Sequence, residues 1–479
     1  MMEKLNLFKS YLVIFLWMEF CGIAFPADLF SQPIQVPVDF PTLQEAVNEA
    51  DDGDTILLAP GMHSGNVLIT KPILIASQFI ETGLESAIYE TIVDGNGRTV
   101  FGVSGPFDGE VTLMGLTIQN GEDGIMASAP VNLYHNLITK CEDGIDYETG
   151  GGGTIRNNVF RENKDDGIDL DGTLFNVIIE NNQIYDNEDD GIEIRLHSYS
   201  GDFSFCRISE NQIYNNQEDG IQFIDYPDLT PRIYVVERNV IFDNKMAGIG
   251  CMDQGESTED YRGADIPEPI YLFNNTISGH QYGITGGANL ISVNNLIINS
   301  EFAGALNNTG NSIHAFCLFH HNTEDLVNAN ADTNSCLFLD PQITPAFYPI
   351  SGSPCIEGGT RLFLMGSDTL LLIPEGEFEG EAPDIGAVEY ARVETAVPAS
   401  YEIEMILKPN PFNEYLTISA LNALSEGSVR ILDQRGRIVE QHPWNGSDLQ
   451  LRLGYLNKGI YFVVYSDSRG TISRKLIKI

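Results

Sequence analysis

The sequence predicts an all-β chain: a right-handed parallel β-helix (a solenoid) with an N-terminal cap helix, followed by a small C-terminal β-sandwich. Three observations predict it: a repeat in the middle of the chain, an amphipathic segment before it and a series of short strands with turns after it. In the repeat, Gly follows Asn after eight or nine residues, whereas 20 to 36 residues separate successive Asn. Constant strands with variable loops are typical of a solenoid. The seven copies begin at Asn136, Asn158, Asn182, Asn211, Asn239, Asn275 and Asn295.

Each copy carries short apolar alternations, such as Arg232–Glu237, that predict strands burying Ile, Leu and Val against the next coil. The recurrent Asn predicts a ladder in which each side chain bonds to the neighbouring coil. We expect the Gly of each copy to adopt a left-handed bend that residues with a Cβ disfavour. A leucine-rich repeat is the nearest alternative, but its Leu-rich pattern with a helical return is absent from the sequence.

The segments around the repeat define the predicted domains. Lys4 and Lys9 precede a short apolar run, which is typical of a signal peptide. Pro41–Ala50 contains the capping box Thr-x-x-Glu and is predicted to form the cap helix over the first coil. The predicted domains are a signal peptide at 1–24, the β-helix at 25–390, a linker at 391–402 and the C-terminal domain at 403–479.

The net charge of -42 is unevenly distributed, because residues 403–479 carry ten Lys and Arg against seven Asp and Glu. The predicted β-helix therefore carries the net negative charge. Such a surface repels phosphate, which excludes nucleic acid as a partner. It would bind an acidic polysaccharide only through bridging cations.

Six cysteines follow the predicted signal peptide, and none has the CxxC spacing of a metal site. In an oxidising compartment we expect a disulfide among Cys317, Cys336 and Cys355. The other three, expected to be small buried hydrophobes, are Cys141, Cys206 and Cys251.

Superposed coils place carboxylates in columns beside the repeat Gly. Neighbouring coils lie about 4.8 Å apart, so stacked carboxylates repel unless they are protonated or bridged by cations. Clustered oxygen donors suit Ca²⁺. The predicted Ca²⁺ ligands are Asp143, Asp165, Asp166, Asp169, Asp190 and Glu193. The alternative is ordinary Asp-Gly turn chemistry with solvated carboxylates.

Two stretches of the predicted β-helix resemble a known superfamily. Phe40–Gly61 looks like the opening of many bacterial pectate-lyase-like proteins. Asp340-Pro341, Ser351–Pro354 and Asp384–Tyr390 resemble the closing segment of the same secreted proteins. The resemblance implies the β-helix fold over roughly residues 34–390, and it says little about function.

The C-terminal segment resembles the sorting domain of type IX secretion cargo. The resemblance is carried by Lys408–Phe412, Val429–Val439, Lys458–Phe462 and Arg474–Ile479. It implies the type IX secretion machinery as a partner, a Gram-negative bacterium of the Bacteroidetes kind, and a location outside the cell or on its outer surface. The alternative is a generic β-sandwich domain that binds an unspecified ligand.

The acidic run also resembles the calcium site of family 9 polysaccharide lyases, which carry D-D-G-x-D on one coil. The matching residues are Asp165, Asp166 and Asp169, with Asp143 one coil earlier. In those lyases Ca²⁺ neutralises the substrate uronate and a Lys abstracts the C5 proton. Glu193 stands where that Lys is expected. Arg195 and Lys164 are the candidates for a replacement catalytic base.

Two classes of function follow. In the first, the chain acts on or binds an acidic, uronate-containing polysaccharide, with Ca²⁺-dependent lyase activity as its catalytic form. In the second, it is a non-catalytic surface β-helix used for glycan binding or adhesion.

Three aromatic residues recur in one column: Tyr185, Tyr214 and Phe242. Such a column would suit the stacking of sugar rings, although we expect these residues to form a corner of the core.

Overall fold

The computed structural model describes most of the chain beyond residue 31. The described residues are 32–148, 150–172, 176–197, 199, 201–225, 230–253, 261, 266–390, 405–410, 412–420, 427–433, 437–444, 447–467 and 470–478. The predicted signal peptide and the predicted linker lie outside them. The chain divides into two compact units, Met1–Arg392 and Val393–Ile479.

Three long parallel sheets, which we name A, B and C, form the first unit, and each coil adds one strand to A, then to B, then to C. This arrangement confirms the predicted right-handed parallel β-helix. The strands of sheet A are Ile34–Val36, Thr55–Leu58, Leu74–Ser77, Val111–Met114, Val131–Tyr134, Gly153–Arg156, Val177–Glu180, Ser204–Ser209, Arg232–Glu237, Ile270–Phe273, Leu290–Val293 and Ile313–Ala315.

Sheets B and C contain eleven strands each. The strands of sheet B are Gly61–Ser64, Thr91–Asp94, Thr117–Gln119, Leu137–Thr139, Val159–Arg161, Gln183–Tyr185, Gln212–Tyr214, Val240–Phe242, Thr276–Ser278, Leu296–Ile298 and Leu318–His320. The strands of sheet C are Val67–Ile69, Phe101–Val103, Ile125–Ala127, Ile145–Asp146, Ile168–Leu170, Ile192–Arg195, Ile221–Asp225, Ala247–Asp253, Tyr282–Thr285, Ala303–Leu306 and Glu324–Val327.

A short helix, Leu43–Glu49, covers the N-terminal end of the β-helix, as the capping box predicts. The Thr42 side chain accepts a hydrogen bond from the backbone N–H of Glu45 at 3.3 Å and caps the helix. Leu43, Ala46 and Val47 bury its apolar face against the core. Two further helices of a single turn are Phe79–Thr82 and Ser86–Glu90. No helix among the described residues is long and apolar enough to cross a membrane.

The core is one continuous apolar column that runs from Val36 to Cys336. The predicted Asn ladder lies along it and joins each coil to the next. The Oδ1 of Asn182, for example, accepts from the backbone N–H of Asn158 at 2.9 Å and from its side-chain amide at 3.1 Å. The ladder side chains therefore satisfy one another's buried amide groups.

The repeat Gly differs from the expectation, because none of the Gly that precede sheet C adopts a left-handed backbone. A Cβ on Gly167 would instead lie 2.7 Å from the carbonyl oxygen of Gly191 and 2.7 Å from Ile184 Cγ2. Close approach of neighbouring coils therefore requires the Gly. The residues directly before the ladder Asn are left-handed instead, with φ between 52° and 60°: His135, Asn157, Asn181, Glu210, Arg238, Asn274 and Asn294.

The last coils are covered by a closing segment that contains the hairpin Leu362–Met365 and Asp368–Leu372. The closing segment runs back along the β-helix, where the backbone N–H of Ala387 donates a hydrogen bond to Thr276 Oγ1 at 2.9 Å. Each of the six described cysteines is a buried thiol, and the disulfide expected among the last three cysteines stays a prediction.

The second unit consists of two antiparallel sheets that share one apolar core, in which Trp444 meets Tyr465 edge-on with 5.3 Å between ring centroids. It matches the predicted small β-sandwich. The three-stranded sheet contains Met405–Lys408, Tyr415–Ala420 and Leu449–Arg452. The four-stranded sheet contains, in spatial order, Ile438–Trp444, Gly427–Leu432, Gly459–Asp467 and Gly470–Lys478.

Candidate functional site

Sheet C presents a row of acids because its strands alternate between core and outer face. Ile145, Ile168 and Ile192 are in register and fully buried in the core. The next residue of each strand points to the other side, so one register column contains Asp146, Asp169 and Glu193. The turns before these strands add further carboxylates. We call the whole set the acid face: Asp143, Asp146, Asp165, Asp166, Asp169, Asp171, Asp189, Asp190, Glu193 and Glu218.

The aspartates directly before the repeat Gly form a second ladder. Oδ1 of Asp143 accepts from the backbone N–H of Asp166 at 2.9 Å, and Oδ1 of Asp166 accepts from that of Asp190 at 2.8 Å. The same bond joins Asp190 to Asp219 at 2.6 Å. The series ends where Oδ1 of Asp219 accepts from the N–H of Ala247 at 2.6 Å. One carboxylate oxygen of each of these aspartates therefore holds the backbone of the next coil.

Carboxylate oxygens of the acid face meet in four groups, in each of which the oxygens lie within 4.8 Å of one another. Separations of this size suit oxygens that share one cation. The groups are Asp146–Asp169–Asp171, Asp165–Asp166–Asp189, Asp166–Asp169–Glu193 and Asp189–Asp190–Glu218.

Five of the six predicted ligands belong to these groups: Asp165, Asp166, Asp169, Asp190 and Glu193. Asp143 joins none of the groups found among the described residues and instead holds the backbone of the next coil. The prediction omitted four acids that the groups include: Asp146, Asp171, Asp189 and Glu218. Asp146, Asp189 and Glu218 occupy the acidic columns of the superposed coils, so their signal was present. Asp171 lies outside those columns, two residues after Asp169 on the same coil.

Burial and mutual repulsion disfavour the ionised form of these acids. Burial, followed by the charges of Glu193 and Asp171, raises the pKa of Asp169 to about 9. Burial also raises the pKa of Asp143 and of Asp146 to about 7, and that of Asp166 well above its ordinary value. At neutral pH the acid face must hold protons or bind cations.

A cation fits the donor set. Oδ1 of Asp146 and Oδ1 of Asp169 are buried and have no hydrogen-bond partner among the described residues. Buried polar atoms left unpaired are rare and need a partner such as an ion. Carboxylate oxygens without nitrogen or sulfur donors are the ligands of hard cations, and Ca²⁺ takes six to eight of them in flexible geometry. The side chains therefore suit Ca²⁺, which the groups of Asp169 would hold.

Arg195, a predicted catalytic residue, lies within the acid face as an ion-pair partner. Its Nε is 2.8 Å from Asp171 Oδ1 and its Nη2 is 2.6 Å from Glu193 Oε1. Burial lowers the pKa of Arg195, but the charges of Glu193, Asp169 and Asp171 outweigh burial and raise it. The ion pairs hold the guanidinium in its charged form, so the geometry lends no support to Arg195 as a proton acceptor.

Lys164, the other predicted catalytic residue, is exposed on the turn before sheet C. Its backbone N–H bonds to the carbonyl of Cys141 at 2.9 Å, which fixes the turn. The catalytic roles of Arg195 and Lys164 stay predictions.

The aromatic column lies outside the core, contrary to the expectation. In the strands of sheet B the middle residue is buried, whereas Tyr185 and Tyr214 are half-buried on the outer side. Tyr185 and Tyr214 stack at 4.7 Å between centroids with 6° between planes, and Tyr214 and Phe242 at 4.7 Å and 11°. Each ring covers the face of its neighbour, so Tyr214 offers a sugar only its edge.

Two family models match this chain. Residues 102–262 match the right handed beta helix region, and residues 407–479 match the secretion system C-terminal sorting domain. None of the curated proteins compared with the chain matches it.

Solved structures with the same fold show low sequence identity. A pectate lyase is 16% identical, with 73% of this chain and 90% of that chain covered, at a TM-score of 0.49. The A-module of an Azotobacter vinelandii mannuronan C-5 epimerase is 15% identical, with 62% and 91% covered, at 0.46. A tailspike from an Acinetobacter baumannii bacteriophage, a capsular polysaccharide depolymerase, is 11% identical, with 93% and 78% covered, at 0.30.

The three parallel sheets and the two family models agree with each other. The sorting domain marks the chain as cargo of a secretion system, delivered to the cell surface or the exterior. The chain is a right-handed parallel β-helix protein that carries a type IX secretion C-terminal sorting domain.

Proposed function

We propose that this secreted β-helix binds divalent cations of the Ca²⁺ type on the acid face and engages an acidic, uronate-containing polysaccharide through them. The observation that carries the proposal is the convergence of Asp166, Asp169 and Glu193, whose oxygens lie within 4.8 Å of one another. Their raised pKa values mean that the uncompensated charges are unfavourable, and a divalent cation removes that cost.

The coordination number of Ca²⁺ links the cation to the glycan. Three side chains that each offer one oxygen leave part of a shell of six to eight oxygens open. A uronate carboxylate is a hard oxygen donor of the right kind to fill it. Without the cation, a chain of net charge -42 repels a polyuronate.

Delivery by the type IX system supports an extracellular glycan as the partner, because the sorting domain directs the chain out of the cell. We place the protein at the outer surface of a Gram-negative bacterium or in its surroundings. There it acts as a cation-dependent glycan-binding or adhesion protein.

A Ca²⁺-dependent lyase reaction is the second candidate. It is favoured by the position of Asp166 and Asp169 on one coil, in the run that resembles the family 9 calcium site. It is disfavoured by Glu193, which stands in place of the expected Lys and pairs with Arg195 at 2.6 Å.

One experiment tests both candidates. The purified chain is mixed with polygalacturonate or alginate in Ca²⁺ or in chelator, and both affinity electrophoresis and the absorbance of unsaturated product are followed. We expect retardation in Ca²⁺ that chelator abolishes, without absorbance. Steady growth of the absorbance would establish the lyase instead. Equal mobility in Ca²⁺ and in chelator on both polymers would overturn the proposed function.

A further inference from the structure

The Asn ladder ends in two cysteines. Leu296 and Leu318 are register partners in sheet B, so Cys317 occupies the ladder position that Asn295 holds one coil earlier. Leu318 in turn pairs with Leu337 in a parallel bridge, which places Cys336 in the same position one coil later. The backbone N–H of Leu337 bonds to the carbonyl of Cys317 at 2.8 Å and fixes this register.

The hydrogen bonds of the two thiols repeat from coil to coil. Cys317 Sγ donates to the carbonyl of Ser292 at 3.5 Å, and Cys336 Sγ donates to the carbonyl of His314 at 3.4 Å. Ser292 and His314 are register partners in sheet A. The two sulfurs are therefore related by one coil step and point into the same core, as successive Asn side chains do.

This geometry falls within the reach of a disulfide. Cα atoms in register on neighbouring strands lie about 4.8 Å apart. Disulfides span Cα separations of about 4.4 to 6.8 Å. Cys355 does not compete, because it belongs to a different apolar cluster, with Leu296, Leu318 and Ile385.

We infer that Cys317 and Cys336 are joined by a disulfide in the secreted protein, closing the last coil of the β-helix. The oxidant is a protein or small-molecule disulfide of the compartment through which the chain is exported. One thiolate attacks that disulfide and displaces one of its thiols, and the second cysteine then displaces the other. Two thiols of the chain become one S–S bond, and the disulfide oxidant is reduced to two thiols.

The exchange takes place before the last coil closes. In the folded chain Cys317 is 0% exposed and Cys336 is 5% exposed, so neither sulfur is open to a large oxidant.

Peptide mapping tests the linkage. The full chain is secreted by its own route, unfolded, alkylated without reductant, and cut after Glu and before Asp. The three cysteines then fall on separate peptides, 302–324, 332–339 and 340–357. We expect 302–324 joined to 332–339, with Cys355 alkylated. Alkylation of all three cysteines, or a link to 340–357, would overturn the inference.

Thermal unfolding with and without a phosphine reductant gives an independent readout. The linkage predicts that reductant lowers the Tm of the wild type and of Cys355→Ser by several degrees. It predicts no effect of reductant on Cys317→Ser or Cys336→Ser, because these variants lack the bond. A wild-type Tm that reductant does not move would contradict the linkage.

Discussion

Asp169 shows why the acid face needs a counter-ion. Its Oδ1 is buried without a hydrogen-bond partner among the described residues, and its pKa is raised to about 9, first by burial and then by Glu193. Asp186, in the turn after strand Gln183–Tyr185, is exposed by contrast.

We expect Asp169→Asn to weaken Ca²⁺ binding by at least about tenfold, since one ligand charge is lost, and a tenfold change corresponds to about 1.4 kcal/mol. In chelator at pH 8 the same variant should melt at a higher temperature than the wild type, because Asp169, with its pKa of about 9, must take up a proton on folding, whereas Asn need not. Thermal unfolding across a Ca²⁺ series measures both effects.

The matched control is Asp186→Asn, which keeps the size of the side chain and tolerates the left-handed φ of 57°. It should leave the Ca²⁺ response unchanged. An Asp169→Asn chain with the Ca²⁺ response of the wild type would show that Asp169 is not a ligand.

Arg195 acts as an internal counter-ion, through its ion pairs with Asp171 and Glu193. We expect Arg195→Gln to lower the Tm in chelator, because two acids lose their partner, and to increase the rise in Tm that Ca²⁺ produces. Arg161→Gln, which removes an ion pair with Glu162 outside the acid face, is the control. A Ca²⁺ response that shrinks in Arg195→Gln would contradict this role.

At the scale of single elements, the repeat Gly is needed because neighbouring coils approach closely there. It is not needed for a left-handed φ. The carbonyl of Gly191 lies 2.7 Å from the position that a Cβ on Gly167 would occupy, and Asn187 Nδ2 lies 2.9 Å from it. Both neighbours belong to the next coil, so a methyl group would force the coils apart.

We expect Gly167→Ala to destabilise the β-helix by about 1 to 3 kcal/mol, the range for overpacked sites. Gly102→Ala is the matched control, since the nearest atom to its Cβ position is Leu68 Cδ1 at 3.6 Å. Denaturant unfolding of the two variants measures the difference. Equal loss of stability in both would show that coil spacing is not the reason for Gly167.

The periodic features of the fold could be predicted from the sequence, because identical positions stack on identical positions. The strands and the Asn ladder follow in this way, whereas the cap helix follows from its capping box. The conformation of Gly167 could not, since Gly is compatible with both a left-handed bend and a close approach.

The stacking of repeat positions predicted only some of the residues that form the acid face. Five predicted ligands meet other carboxylates, but whether Asp143 bonds to a backbone N–H or faces a ligand depends on a side-chain rotamer that the sequence does not encode locally. Likewise, the spacing of Glu193 and Arg195 shows that they share one side of a strand, but not that they pair with each other.

At the scale of the whole molecule, the acids concentrate on a few coils of one sheet, and folding brings them together. The folded chain therefore holds more protons than the unfolded chain between about pH 4, where unfolded carboxyls titrate, and the raised pKa values of about 6 for Asp165, about 7 for Asp143 and about 9 for Asp169. The free energy of unfolding falls as pH rises through this window.

We accordingly expect the Tm in chelator to decrease from pH 5 to pH 9, and saturating Ca²⁺ to remove most of that decrease, because the cation takes the place of the protons. Differential scanning fluorimetry of the wild type across pH gives the comparison. A Tm in chelator that rises across the same window would mean that the acids are stabilised in their charged form.

Calorimetric titration measures directly whether the acid face binds a cation. The full chain, freed of metal by chelator and exchanged into buffer at pH 8, is titrated with Ca²⁺ beside the variant that combines Asp166→Asn with Asp169→Asn. We expect saturable Ca²⁺ binding to the wild type and at least about tenfold weaker Ca²⁺ binding to the variant, since two ligand charges are lost. Absence of saturable binding to the wild type, or equal affinity in both chains, would contradict it.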